Sequence, residues 1–331
     1  MPNVTFADVQ SAEKRISRYI KNTPILESQL LNSWLGHEIL FKAECFQTTG
    51  AFKLRGALNM MLKAKDDSKL GAQVIASSSG NHAQAVAYAA KVLGVKATIY
   101  SAQNISKVKA AATQYYGATL DLSATRKEAD EKVAAAAKKA GVLWTPPFNH
   151  KDIIAGQGTV MLEAHKQVGD VNAVFAPVGG GGLVSGTLVS AKALNPTAKV
   201  IGVEPLLAND AAESLRSGII QSLSAQPNTL ADGAATLQVG RETFPHLQSL
   251  DGFYEIDEEK IAYWTQWLQH LLKVHVEPTS AMSMGAVIEW LKSQSEPQKV
   301  LVVLSGGNID QQKMSQIWND DHLLNVPSML I

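Results

Sequence analysis

The sequence predicts an α/β protein in which parallel strands alternate with helices. Seven short apolar runs have the length of buried strands, and they lie at residues 38–41, 73–76, 97–100, 119–122, 173–176, 200–204 and 300–304. Helix-like stretches lie between several of these runs, and the ones at residues 83–93, 107–116 and 126–140 are each followed by a glycine, which commonly ends a helix. Strand, helix and strand in succession form a βαβ unit, which requires a parallel sheet covered by helices.

The alternation falls into two series, which predict two domains. Residues 71–144 repeat the unit three times, Pro146 and Pro147 interrupt it, and a second series runs from Val171 to the end. We therefore expect residues 71–145 to form a small domain, and residues 1–64 and 147–331 to form a discontinuous large domain. Each would be an open, mainly parallel twisted sheet, and the site would lie in the cleft between them.

Composition excludes several classes of protein. The 331 residues are 46% hydrophobic, and 30 basic side chains balance 30 acidic ones. This balance argues against nucleic acid or an anionic membrane as a partner. No apolar run approaches the ~20 residues that span a bilayer. Cys45 is the single cysteine, so no intrachain disulfide is possible. Residues 1–11 lack the pattern of a signal peptide, and we expect a cytoplasmic protein.

Residues 48–56, Thr-Thr-Gly-Ala-Phe-Lys-Leu-Arg-Gly, contain a candidate reactive lysine. Lys53 lies between Phe52 and Leu54, which could partly desolvate its amine and so leave it neutral and nucleophilic. Taken alone, the segment is more typical of an ordinary surface lysine than of a functional one.

Residues 77–84, Ser-Ser-Ser-Gly-Asn-His-Ala-Gln, follow one predicted strand and open a helix. Hydroxyl and amide side chains together with free backbone N–H groups at a helix N-terminus form an anion site, into which a substrate carboxylate would fit. The alternative is helix capping alone, although one cap does not need three serines.

Two further loops follow predicted strands. Residues 177–183, Pro-Val-Gly-Gly-Gly-Gly-Leu, leave the backbone free to wrap a phosphate, although no Gly-Lys-Ser/Thr of a P-loop follows. Residues 305–308, Ser-Gly-Gly-Asn, follow the run at 300–304. Ligands of open α/β sheets lie beyond the carboxyl ends of strands, so these loops predict a phosphate-bearing ligand, a carboxylate and a lysine at one site.

Together these segments resemble the pyridoxal-phosphate (PLP) enzymes of the tryptophan-synthase-β fold, also called PLP fold type II, and most of all serine racemases and short threonine dehydratases. The resemblance covers nearly the whole chain. It includes residues 6–9, 23–24, 41–47, 155–159, 231–233 and 277–279.

The resemblance implies a role for each motif. Lys53 would hold PLP as a Schiff base and take the substrate Cα proton from one ring face, with Phe52 packed near the ring. The other implied ligands of the cofactor are Asn81 at the 3′ oxygen, the backbone of Gly179, Gly180, Gly181, Gly182 and Leu183 at the phosphate, and Ser305 at the pyridine nitrogen. The residues implied for the substrate carboxylate are Ser78, Ser79, Asn81 and His82.

The implied reaction is loss of water from L-serine or L-threonine, which gives a 2-oxo acid and ammonia. A hydroxyl opposite the ring nitrogen favours elimination over transamination, since it leaves that nitrogen largely unprotonated. Serine racemases carry a serine where this chain has Ser79, on the face opposite the lysine. Racemisation needs an acid/base on each face, so serine racemisation is a second expected activity. The alternative is that Ser79 binds the carboxylate and transfers no proton.

The resemblance also implies a divalent-cation site and a homodimer. Glu204, the Ala208 carbonyl and Asp210 match the family's cation loop, and such hard oxygen ligands suit Mg²⁺ or Ca²⁺. Two acids six residues apart in a loop are otherwise usually only solvated. The ion would be structural or activating rather than catalytic.

Some departures and rival functions stay open. Asp130 stands where serine racemases place an arginine near the ligand, by ungapped counting, and Thr236 replaces a serine. The substrate side chain is therefore undecided, and a threo-3-hydroxyaspartate dehydratase or an aspartate racemase is the first rival. The others are a β-replacement enzyme such as cysteine synthase, and a dinucleotide-binding module built on the four-glycine loop.

Overall fold

The computed structural model describes residues 4–103 and 105–329, which form ten strands and fourteen α-helices. The strands are β1 (Ile25–Glu27), β2 (Glu38–Ala43), β3 (Gln73–Ser77), β4 (Lys96–Ala102), β5 (Thr119–Ser123), β6 (Val142–Trp144), β7 (Ala173–Pro177), β8 (Lys199–Pro205), β9 (Gly252–Ile256) and β10 (Lys299–Leu304). The helices are α1 (Phe6–Ile16), α2 (Gln29–Leu35), α3 (Lys53–Asp66), α4 (Asn81–Leu93), α5 (Lys107–Tyr115), α6 (Arg126–Ala136), α7 (Lys151–Val168), α8 (Gly182–Leu194), α9 (Asp210–Ser217), α10 (Phe244–Leu247), α11 (Glu258–Leu272), α12 (Pro278–Ala281), α13 (Ser283–Leu291) and α14 (Gln311–Ile317).

A six-stranded sheet has the order β1-β2-β10-β7-β8-β9, and all its pairs are parallel except β1 with β2. Its central strands β7 and β10 are almost entirely buried, as expected of a parallel sheet with helices on both faces. Because β7 and β10 are parallel neighbours, the loops that follow them emerge side by side at one edge of the sheet.

A second sheet has four parallel strands in the order β5-β4-β3-β6. Its main hydrophobic core includes residues of β3 and β4 together with small and aliphatic side chains of α3 and α4. The shared core fixes the starts of these two helices near each other, and those starts carry Lys53 and Asn81.

The α/β class with mainly parallel, helix-covered sheets is confirmed. Each of the seven predicted strands is present, extended by up to three residues. The helices predicted at 83–93 and 107–116 are observed as α4 and α5, whereas the one predicted at 126–140 ends at Ala136. Strands β1, β6 and β9 were not predicted. All three are edge strands, and none has the continuous burial that gives a central strand its apolar pattern.

The division into two domains stays a prediction, although the four-stranded sheet uses only residues within the stretch assigned to the small domain. Among the described residues, no helix combines the length and apolar character needed to cross a membrane.

Candidate active site

Lys53 is the first residue of α3, and its amine lies in a setting that disfavours a positive charge. Its Nζ donates to the Pro147 carbonyl at 2.8 Å and lies 5.1 Å from the centre of the Phe52 ring. The residue is only partly shielded from solvent, but protein surrounds the amine on most sides. This desolvation lowers the pKa of Lys53 to about 8, against the opposing charge of Glu277. A substantial fraction of the amine is therefore neutral near neutral pH.

The loop from Ser77 to Gly80 leads from β3 into α4, and no side chain caps that helix. Instead, the Ser78 hydroxyl accepts a hydrogen bond from the Gly80 N–H at 3.2 Å. Capping therefore does not account for the three serines. Within the part of the chain that the structure describes, the partly exposed Ser79 hydroxyl has no hydrogen-bond partner, so it is available to a ligand.

His82 is buried in the first turn of α4, and its ring has a defined tautomer. Its Nε2 lies 2.8 Å from the Thr145 carbonyl, which can only accept, so Nε2 carries the hydrogen and Nδ1 has a lone pair. Burial, with the charges of Lys53 and Arg126, lowers the pKa of His82 to about 3. The neutral ring cannot donate from Nδ1 to a carboxylate, and only its backbone N–H is suited to the substrate role predicted for this residue.

The four glycines after β7 form a tight turn into α8. Gly181 has φ +89°, a left-handed conformation that favours glycine, and no side chain caps α8. A Cβ on Gly180 would lie 2.2 Å from the Phe148 ring, so the backbone is pressed against the residue that follows Pro147. The loop therefore packs next to Pro147, whose carbonyl accepts the hydrogen bond from Lys53. The N–H groups of the loop and of Leu183 lie at an uncapped helix start, where a phosphate is favourable.

Ser305 follows β10 and is buried beside the lysine segment. Its carbonyl accepts from the Phe52 N–H at 2.9 Å, and its hydroxyl lies 3.0 Å from the Ser280 hydroxyl. The Ser280 hydroxyl also contacts the carbonyl and the N–H of Gly306, each at 2.8 Å. The position of the Ser305 hydroxyl is therefore fixed by backbone as well as by a side chain.

Asn81 links the loop of residues 77–80 to Glu277 and Asn308. Its amide nitrogen lies 3.1 Å from each carboxyl oxygen of Glu277, and its amide oxygen accepts from Asn308 at 2.9 Å. Burial raises the pKa of Glu277 to about 7. Sequence reasoning gave no role to Glu277, because an acid before a proline carries no signal of its burial until the fold brings it to Asn81.

The predicted cation ligands lie together, outside the hydrogen bonds of the lysine site. Glu204 at the end of β8 accepts from the backbone N–H groups of Ala211 and Ala212, and one Asp210 oxygen has no partner among the described residues. Burial raises the pKa of Glu204 to about 9 and that of Asp210 to about 7. Two buried acids with raised pKa values and an unpaired oxygen fit a hard cation.

The side chain of Thr236 lies between the segment of residues 204–210 and the four-glycine loop of residues 177–183. The Thr236 hydroxyl lies 3.5 Å from Asp210, and its methyl group lies 3.5 Å from where a Cβ on Gly179 would be. Among the described residues, no cluster of three or more histidine, cysteine or acidic side chains could hold a metal. Carbonyls such as that of Ala208, or water, would complete the ligand set.

Arg126 was not singled out from the sequence, where Asp130 stands in place of an arginine. The structure has a guanidinium four residues before Asp130, at the start of α6. Arg126 Nε lies 3.0 and 3.2 Å from the two Asp130 oxygens, and its Nη2 donates to the Ser77 carbonyl at 3.4 Å. A positive charge therefore lies beside the serine loop.

A partly neutral lysine amine, an uncapped helix start after a serine-rich loop and a glycine turn at a second uncapped helix start are together typical of an α/β enzyme with a phosphate-bearing carbonyl cofactor. The chain matches the family described as "Pyridoxal-phosphate dependent enzyme" over residues 16–306. It belongs to this family, and PLP is its cofactor.

Relatives of known activity extend over almost the full chain. The chain is 41% identical to the L-threo-3-hydroxyaspartate ammonia-lyase of Saccharomyces cerevisiae, covering 95% of this chain and 96% of the relative. It is 40% identical to the serine racemase of Dictyostelium discoideum, covering 96% and 99%. The crystal structure of T.th. threonine deaminase superposes with a TM-score of 0.86 at 42% identity, covering 92% and 99%.

Proposed function

We propose that the protein eliminates water from L-serine and L-threonine, giving a 2-oxo acid and ammonia. The observation that carries this proposal is the setting of the Lys53 amine. This amine is partly neutral and donates to the Pro147 carbonyl, and the next residue, Phe148, packs against Gly180 of the four-glycine loop. Similarity to a threonine deaminase and to serine racemases supports the substrate class.

Bound PLP supplies an electron sink for the bond broken at Cα. Lys53 takes the Cα proton, the Cβ–O bond breaks, and the hydroxyl leaves with a proton as water. The enamine that is released is then hydrolysed by water to the 2-oxo acid and ammonia. The N–H groups at the start of α4, with Ser78 and Ser79, would hold the substrate carboxylate, while Asn81 and Ser305 would hold the ring oxygen and the ring nitrogen. The backbone of Gly179, Gly180, Gly181, Gly182 and Leu183 would hold the phosphate, and Phe52 would pack near the ring.

The test compares oxo-acid formation from L-serine, L-threonine and threo-3-hydroxyaspartate at equal concentrations. Serine and threonine are expected to turn over, and borohydride is expected to trap the cofactor on Lys53. Turnover of hydroxyaspartate alone would overturn the proposal, and sulfide added to an activated serine tests β-replacement. A colourless protein that is not labelled at Lys53 would contradict the role proposed for this lysine.

Serine racemisation at Ser79 is part of this proposal. The Ser79 hydroxyl is partly exposed and free of protein partners among the described residues, as a group that exchanges protons with a substrate must be. Ser79→Ala is expected to abolish formation of D-serine while L-serine dehydration continues. An unchanged racemisation rate in chiral analysis would assign Ser79 to carboxylate binding alone.

Dehydration of threo-3-hydroxyaspartate, or racemisation of aspartate, is the second candidate. Arg126 favours it, because a guanidinium beside the serine loop could bind a second carboxylate. The 41% identity to a hydroxyaspartate ammonia-lyase points the same way. Arg126→Gln is expected to lower kcat/KM for hydroxyaspartate at least ~10-fold. Serine turnover should be spared, and the exposed Arg18→Gln should affect neither.

We also propose that Glu204, Asp210 and the Ala208 carbonyl bind Mg²⁺ or Ca²⁺, which supports the phosphate loop through Thr236. A cytoplasmic homodimer that binds neither nucleic acid nor membrane completes the proposal, and the balanced charge supports it. Assays with and without Mg²⁺ and sedimentation analysis test these two points.

A further inference from the structure

The amide of Asn81 is held on both sides by residues to which the reaction above assigns no task. Asn308 Nδ2 donates to the Thr49 carbonyl at 2.8 Å and to Asn81 Oδ1 at 2.9 Å. A carbonyl can only accept, so the Thr49 contact fixes which end of the Asn308 amide carries the NH₂ group. Asn81 must then turn its oxygen to Asn308, and its own NH₂ group turns to Glu277.

The Glu277 carboxyl group is the acceptor at the end of this chain of hydrogen bonds. Both of its oxygens lie 3.1 Å from Asn81 Nδ2, so one amide hydrogen can be shared between them while the other is left free. The Asn308 backbone N–H also hydrogen-bonds to this carboxyl group. Asn308 and Glu277 thus hold each other as well as Asn81.

Two motif glycines make room for these contacts. Gly50 has φ +72°, and a Cβ there would lie 2.5 Å from Asn308 Oδ1. A Cβ on Gly306 would lie 2.7 Å from Glu277 Oε1. Each of the two loops, residues 48–56 and 305–308, therefore leaves space for a side chain that fixes the Asn81 amide. This need for space is a reason for glycine at both positions that does not involve the cofactor.

We propose that Asn308 and Glu277 are positioning residues that lock the Asn81 amide so that it can only donate to the ring oxygen of the cofactor. A donor at that oxygen stabilises its ionised form, whereas an amide turned by 180° would present its carbonyl and favour the protonated form. This inference rests on the proposed contact between Asn81 and the ring oxygen.

The experiment reads the state of the bound cofactor directly. Asn308→Asp keeps the size of the side chain but removes both donated hydrogen bonds, and Asn308→Ala removes the side chain. In purified holoenzyme, both variants are expected to lower the ratio of near-visible to near-ultraviolet cofactor absorbance by about fivefold, the effect of losing one hydrogen bond. Titration of the apoprotein with PLP, followed by tryptophan fluorescence, should show a similar rise in Kd.

Controls separate this inference from the proposed function. Asn319→Ala, the same change at an exposed asparagine, is expected to leave both readings unchanged. If Asn81→Ala changes neither absorbance ratio nor Kd, the proposed contact itself is wrong. If Asn81→Ala changes both, but the Asn308 variants and Glu277→Gln change neither, the contact stands and the positioning role is overturned. Should the Asn308 variants not fold, Glu277→Gln decides by the absorbance ratio alone, because the same change also alters the pKa of Lys53 and with it the uptake of PLP.

Discussion

At the scale of single residues, the charge of Lys53 should decide how readily the apoprotein forms the proposed covalent bond to its cofactor. Desolvation moves the pKa of this amine from 10.5 to about 8, while the Glu277 carboxylate opposes the shift. Only the neutral amine is nucleophilic, and at pH 7 about one amine in ten is neutral with a pKa of about 8, against ~0.03% at the ordinary value. The pocket thus increases the reactive fraction about 300-fold.

The rate at which the apoprotein binds PLP covalently should therefore rise about tenfold per pH unit below pH 8 and level off above it. Glu277→Gln removes a charge that raises the pKa of Lys53, so its profile should shift to lower pH. Stopped-flow absorbance of apoprotein mixed with PLP measures both profiles. A rate that still rises steeply between pH 9 and 10 (on the order of tenfold) would show an ordinary lysine.

Candidate site residues that lie in short local motifs could be selected from the sequence. Residues that belong to the site only through contacts with distant segments could not. Lys53, Asn81 and Ser305 lie in short motifs with glycine and hydroxyl residues, so their chemistry is visible locally. The place of Glu277 in the site depends on its contact with Asn81, which is 196 residues away in the chain. The sequence contains no local pattern for such a pair, and only the fold brings them together.

At the scale of secondary-structure elements, α5 packs against α4 and β5 of the four-stranded sheet and is held near both ends by contacts outside that sheet. Lys109 Nζ lies 2.6 Å from Asp232 Oδ2, in the loop that packs against Gly179. Tyr116, which ends α5, donates its hydroxyl to the Thr48 carbonyl at 3.3 Å, in the segment that leads to Lys53. The helix therefore links the four-stranded sheet to the segment that leads to Lys53 and to the loop that packs against Gly179.

Lys109→Met should loosen this tie and lower kcat/KM for serine about tenfold. The Lys109–Asp232 pair is largely buried, so its loss leaves Asp232 uncompensated close to Glu277. Hydrogen exchange in α5 should become faster in the same variant. Lys132→Met, on α6, removes an exposed ion pair of similar length to Asp121 of β5 and is the matched control. Equal effects of the two changes would exclude a special role for Lys109.

The turn from β8 into α9 should respond to Mg²⁺. Glu204 and Asp210 are buried and unfavourably ionised, so a bound cation relieves a cost that the folded protein otherwise carries. Mg²⁺ at a hundred times its Kd should stabilise the protein by about 2.7 kcal/mol and raise Tm by a few degrees. Asp210→Asn should abolish most of this shift, whereas Asp170→Asn, at an exposed site, should preserve it. A Tm that is equally insensitive to Mg²⁺ in all three proteins would rule out the site.

At the scale of the whole molecule, the central strands were predictable because burial on both faces makes them continuously apolar. Strands β7 and β10 follow this pattern, while β9 begins with Gly252 and is mostly half-buried. The order of strands in the sheet was not predictable. It places β10, the last strand of the chain, between β2 and β7, and this depends on packing rather than on any local signal.

A buried network of charges joins segments that lie far apart in the chain. Arg55 donates to both oxygens of Glu44 at 2.8 Å and to Glu163 on α7, while Lys42 lies 2.6 Å from Glu163. Lys42, Glu44 and Arg55 are inaccessible to solvent, and the two positive charges balance the two negative ones. Arg55 lies two residues after Lys53, so the network also anchors the turn that carries the reactive amine.

Removing Arg55 should destabilise the whole protein rather than one loop. Arg55→Met leaves a net negative charge buried, because Lys42 alone faces Glu44 and Glu163, and such a change costs about 3–5 kcal/mol. Adding Glu44→Gln restores neutrality and should recover part of the loss. Lys63→Met, on the same helix, breaks a partly exposed pair with Asp152 and should cost ~1 kcal/mol or less. Urea unfolding of the apoproteins, followed by circular dichroism, measures all three. If Arg55→Met were no more costly than Lys63→Met, the network would be dispensable and the position of Lys53 would depend on the hydrophobic core alone.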